Sequence, residues 1–153
     1  MEEIKQPPVF LYILMRTDLA SMNPGKAVAQ GTHAANQCVW EITQKMADRM
    51  EQIPVDPQKD DDELVASMLQ EWQNETGKGF GTCICLGVTE RQMRTKVETA
   101  QRLGFHAGIT HDPSYPLVDG DSFHQIPLDT CGFVFGRKDM VLSLLMADLN
   151  LMA

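Results

Sequence analysis

Residues 9–15 (VFLYILM) form an unbroken apolar run, and no other stretch restricts the fold as much. The run is long enough for a strand and too short for a globular helix. Apolar on both faces, it belongs at the centre of a covered sheet. Arg16, Thr17 and Asp18 break it where the strand should leave the core. Asn23-Pro24-Gly25 then reads as a helix start, with Asn as N-cap and Pro at the first helical position. At about 100° per residue, Lys26, Gln30, His33 and Gln37 share a band of roughly 40°, and Val28, Thr32, Ala35, Val39, Ile42 and Met46 fall opposite. The second set is expected to pack on the sheet and the first to face solvent. A polar row on a helix is ordinarily its solvated face. This one carries a single charge where Glu and Lys usually dominate. Gly31 also sits inside the helix at a cost of about 1 kcal/mol relative to Ala, which close approach by another chain or a ligand would explain.

Further along, Leu64, Met68, Leu69 and Trp72 repeat at helical spacing, with Gly77 as a stop. Residues 53–62 (IPVDPQKDDD) read as the connection before them. Residues 77–81 (GKGFG) precede a strand rather than open a helix, so a turn is expected and not a phosphate loop. Residues 82–88 (TCICLGV) suit a strand, Thr89 and Gln92 a capping box, and Gly104 the end of that helix. Met93, Val97, Ala100 and Leu103 lie opposite Arg91, Arg94 and Arg102 on it. A short strand is expected at 105–110, a loop at 112–122 (DPSYPLVDGDS), a strand at 130–136 and a last helix at 138–149 with Val141, Leu144, Leu145 and Leu149 apolar. The whole reads as one α/β domain at 9–153, with helices on both faces of a small sheet, behind a disordered lead at 1–8.

The chain has 153 residues and a net charge of −8, awkward for a partner of nucleic acid. Between residues 41 and 75 lie ten acidic and three basic residues, so most of the excess is in one segment. No signal peptide or membrane span is visible, and a cytosolic location is expected. Cys38, Cys83, Cys85 and Cys131 show no metal-binding spacing and read as buried thiols. The four histidines are dispersed. No metal or cofactor is expected.

The strand ending Arg16-Thr17-Asp18-Leu19, followed by Gly25-Lys26-x-x-x-Gln30-x-x-His33-Ala34-Ala35, resembles the N-terminal signature of the type II (archaeal and eukaryotic) peptidyl-tRNA hydrolases. The order of later elements agrees across most of the chain. The resemblance implies a mixed, roughly four-stranded sheet, a homodimer, and hydrolysis of the ester that joins a peptide to a ribose hydroxyl. It implies catalytic roles for Lys26, Gln30 and His33, for an aspartate at the end of the third strand, and for Thr130. Asp112 fits the strand register, and Asp119 has the glycine that the family's turn places nearby; Asp112 is preferred. Pro113 and a longer loop depart from the family pattern. His124 is the nearest candidate for a turn threonine that has no clear match. Arg16, Asp18, Gln37 and Asp119 are candidates for substrate binding, and Arg91, Arg94 and Arg102 for contact with the RNA backbone.

Such an ester needs a positioned water, a proton acceptor and donors for the oxyanion. No GxSxG elbow and no Cys/His pairing is present, so direct attack by water is expected. Lys26 is the natural cation, Gln30 and His33 can orient water or substrate, and a neutral His33 can serve as base. A non-catalytic binding module on this fold, or a hydrolase of another small ester or amide, stays open.

Overall fold

The apolar run becomes β1 (Val9–Arg16), the middle strand of five. The computed structural model describes residues 2–51 and 60–153. In chain order the elements continue with α1 (Pro24–Glu51), α2 (Asp60–Asn74), β2 (Cys83–Val88), α3 (Glu90–Arg102), β3 (His106–Asp119), β4 (Ser122–Arg137), α4 (Met140–Met146) and β5 (Asn150–Leu151). The sheet order is β3-β4-β1-β2-β5, with β1 and β2 parallel and the other pairs antiparallel. Alternation along β1 divides the core. Val9, Leu11, Ile13 and Met15 pack with Ala34, Cys38 and Ile42 of α1 and Met68, Leu69 and Trp72 of α2. Tyr12 and Leu14 pack with Met93, Val97 and Ala100 of α3 and Leu142 and Met146 of α4.

Several boundaries differ from the expectation, each for a local reason. The lead is tied down at its end, where the Pro8 and Pro7 carbonyls accept from Lys138 N (2.8 Å) and Arg137 Nη1 (2.9 Å). Most of the connection expected at 53–62 lies outside the described residues, but residues 60–62 already belong to α2. Leu64 is exposed. Residues 112–119 are not a loop but the outer part of β3, paired with β4 up to a turn at Gly120 (φ 58°). Asp139 caps α4, accepting from Leu142 N at 2.9 Å, so the helix starts later and ends sooner than expected. Leu142 and Met146 then form its buried face, leaving Val141 and Leu144 outside. The chain next turns back as β5, a fifth strand absent from the sequence reading.

The largest correction concerns α1. Its buried residues are Gln30, Ala34, Cys38, Ile42 and Arg49, whereas Val28 is 71% exposed and Thr32 is also outside. The helix is rolled by about a quarter turn from the expected setting. Lys26, Gln30 and Gln37 of its polar row reach β3, and His33 faces water. Gln37 Nε2 donates to the Ile109 carbonyl (3.1 Å) and to Glu41 Oε1 (2.9 Å). Glu41 Oε2 lies 3.1 Å from His106 Nε2, whose ring rests against Phe133. The roll leaves an open, mostly apolar cavity of about 570 Å³ along Ala27, Val28, Gly31 and Ala35, lined also by Ile13, Cys83, Cys85 and Met152.

Two measurements test this setting. Burial pushes the His106 imidazole below its ordinary value; Lys45 on α1 adds to this, while Glu41 on α1 and Asp62 on α2 partly offset it. The unfolded chain therefore takes up this proton first as pH falls. The contribution is fully present above about pH 6.5 and is lost as the pH drops toward the folded value. Thermal melts from pH 7.5 to 5 should show this loss, and His106→Gln should flatten it; an unchanged slope would refute the assignment. Gly31 has no atom nearer than 3.9 Å to an added Cβ. Gly31→Ala should therefore raise stability by about 0.5–1 kcal/mol through helix propensity. A destabilised variant would mean that α1 sits differently on the sheet.

Candidate active site

The site forms where β1 and β2 end and α1 and α3 begin, the edge at which open α/β sheets collect ligands. Asn23 caps α1, accepting from Lys26 N at 2.9 Å, which sets Lys26 in the first turn. Its ammonium donates to the Pro116 carbonyl at 2.7 Å and lies 4.9 Å from the centre of the Tyr115 ring. Tyr115 is fully buried, its hydroxyl 3.1 Å from Ser21 Oγ. One turn on, Gln30 is 2% exposed. Its amide nitrogen donates to Asp112 Oδ2 (2.6 Å), and its amide oxygen accepts from Thr130 Oγ1 (2.6 Å). Asp112 Oδ1 accepts from Ser114 N at 2.9 Å.

Two irregularities in the β3–β4 ladder make this geometry possible. Thr110 pairs with Cys131, but His111 pairs with Asp129, so Thr130 is an extra residue on β4. A bulge of this kind re-aims side chains. Thr130 and Cys131 both turn toward α1, and Cys131 Sγ lies 3.5 Å from the Gln30 carbonyl. The second shift falls between Asp112, opposite Leu128, and Tyr115, opposite Ile126. Pro113 and Ser114 occupy it, which is how a proline is accommodated inside a strand.

The other candidates divide. His33 is exposed on the same helix, with no hydrogen bond among the described residues. Gln37 serves the seating of α1. Asp119 and His124 lie on the exposed outer hairpin, Asp119 at its tip, roughly 20 Å further along the strand than Asp112. Arg16 is 7% exposed, bonded to Asp18 Oδ1 (2.9 Å) and to the Asp129 carbonyl (3.1 Å), with Glu90 at 3.3 Å. The Arg16 guanidinium holds Asp18 below the usual carboxylate range. Arg94 is already paired with Glu90 (2.8 Å) and Asp129 (2.7 Å), unlike the free phosphate contact expected of it. Arg102 has Glu98 at 3.9 Å, and Arg91 is exposed.

Sequence reasoning missed Tyr115, Asp129 and His111. Asp129 neighbours Thr130, the only signal available; Tyr115 was hidden by prolines that read as a loop. Burial pushes the Cys131 thiol up to about 11; Cys83, expected to be buried, is exposed as a residue, but partial desolvation of its sulfur, with Cys85 beside it, raises that thiol to about 11 as well. Neither is a ready nucleophile at neutral pH. Among the described residues no three His, Cys, Asp or Glu side chains gather as metal ligands, and no helix is long and apolar enough to cross a membrane.

A cation, a buried amide, a carboxylate and a hydroxyl along one wall of an open α/β sheet fit a protein that acts on a polar bond. The family model for peptidyl-tRNA hydrolase PTH2 matches residues 9–144, so the chain belongs to that family, whose members are hydrolases acting on ester bonds. No curated protein matches the chain significantly.

The Gln30 bridge yields a stability prediction. Thr130→Val removes the donor to a buried amide oxygen and should cost about 1–3 kcal/mol in chemical denaturation. Thr130→Ser keeps the hydroxyl and should cost less than half as much; equal losses would show that packing, not the hydrogen bond, matters there.

Proposed function

We propose that the chain hydrolyses the ester bond of peptidyl-tRNA by direct attack of water at the wall formed by Lys26, Gln30, Asp112 and Thr130. The observation that carries this reading is the chain of hydrogen bonds from Thr130 through Gln30 to Asp112, one helical turn from Lys26. Gln30, satisfied at both ends, holds the Asp112 carboxylate in one orientation. Asp112 takes the proton of the attacking water. Lys26 spends one of its three N–H donors on Pro116, leaving two for charge that grows on the carbonyl oxygen. His33, exposed beside them, meets the substrate.

The acidity of the chain also enters this reading. Arg16 and Arg94 are neutralised internally, so attraction to the RNA backbone falls to cations such as Arg91. Arg91→Ala should mainly raise KM and reduce the salt dependence of binding, with kcat nearly intact.

Release of an N-blocked amino acid from its tRNA tests the chemistry. Lys26→Ala and Asp112→Ala, both at partly exposed positions and expected to fold, should each lower kcat/KM by about 2–4 kcal/mol equivalent. If either folded variant works at the wild-type rate, this wall is not where the ester is cut. A wild-type chain without release activity would favour a binding module.

A further inference from the structure

The aim of Thr130 depends on an extra residue in β4, and the residue before it is gripped from the other side of the sheet. Asp129 Oδ2 accepts from Arg94 Nη2 at 2.7 Å, and Oδ1 lies 2.8 Å from His111 Nδ1. Its carbonyl accepts from Arg16 Nη1 at 3.1 Å. Arg16 is fixed in turn by Asp18 and Glu90, and Glu90 also holds Arg94. Residues of β1, α3 and β3 thus converge on Asp129, whose side chain makes no hydrogen bond to Gln30 or Asp112 among the described residues.

We propose that Asp129 is a positioning residue for the reaction: its clamp on the α3 side of the sheet fixes the bulge, and with it the angle at which Thr130 meets Gln30. Strand alternation supplies the reason. In a regular ladder Asp129 would share the α1 side with Cys131, and Thr130 would point to α3. The bulge exchanges the two, and Arg94 and His111 hold Asp129 in the exchanged place. Loosening the clamp lets the ladder relax toward regular pairing and swings the Thr130 hydroxyl off Gln30. Arg94 is half exposed, and such pairs add little to global stability. The clamp should therefore register in site geometry more than in melting temperature.

The inference rests on the reading of Gln30, Asp112 and Thr130 as the active site, and a double-mutant cycle tests it. Asp129→Asn, Thr130→Ala and the double variant are assayed on N-blocked aminoacyl-tRNA well below their melting temperatures. The Gln30 side-chain amide is followed by NMR in each. Asp129→Asn should lower kcat on the order of 10-fold with KM unchanged, move the Gln30 amide resonances, and cost nothing further on the Thr130→Ala background. Equal losses on both backgrounds, a loss confined to KM, or unmoved Gln30 resonances would overturn the proposal. Should Asp129→Asn fail to fold, Arg94→Gln leaves β4 intact and faces the same outcomes. If Thr130→Ala keeps wild-type kcat, the active-site reading fails, and the Gln30 resonances still report whether the clamp sets the bulge.

Discussion

Gln30 is a full amide 2% exposed in the second turn of a 28-residue helix, and its needs govern how that helix sits. Leaving either end of such a group unpaired costs about 1–3 kcal/mol. Its nitrogen finds a carboxylate on β3 and its oxygen finds a hydroxyl on β4, so satisfying one side chain ties α1 to two strands at once. Both bonds are possible only with the helix rolled toward β3. That roll brings Lys26 over Tyr115 and Gln37 onto Ile109, and it empties the opposite flank into the apolar cavity beside Gly31.

The same fact explains what could be read in advance and what could not. β1, the Asn23 cap, the capping box at Thr89 and Gln92, and the burial of Met68, Leu69 and Trp72 all rest on short-range signals that nothing distant overrides. The Lys26–Gln30–His33 row was visible as a pattern and His33 does face water, but Gln30 is buried and paired across the chain where a solvated amide was expected. Helical periodicity sorts polar from apolar and cannot tell a solvated amide from one paired across the chain. Gln30 finds its partners 82 and 100 residues away. Residues 112–119 failed for a different reason: prolines and aspartates mark turns, and only the ladder register reveals that here they occupy a strand irregularity. The roles of Asp129 and His111 were beyond reach, because an ion cluster assembled from β1, α3, β3 and β4 leaves no local trace.

The two faces of the sheet divide their work at this edge. Toward α1 the groups are mostly neutral donors and acceptors with one carboxylate and one ammonium; toward α3 three acids pair with two arginines, and a histidine hydrogen-bonds one of the acids. Arg94 and His111 both hold Asp129 below the usual carboxylate range, Arg94 the more strongly. The charged cluster therefore keeps its form through mild acid, while the neutral side keeps its geometry by packing.

The prolines of the outer hairpin have an effect beyond the site. β3 is an edge strand, and a long edge with exposed Val118 and Phe123 facing one another across the hairpin invites another chain to add a strand. Pro113 and Pro116 carry no amide hydrogen to offer in a ladder, and the irregularity around Pro113 breaks the straightness of the strand. A neighbouring strand would find neither a continuous row of partners nor a flat surface to pair with. The departure that shapes the surroundings of Asp112 thus also guards the molecule against edge-to-edge aggregation.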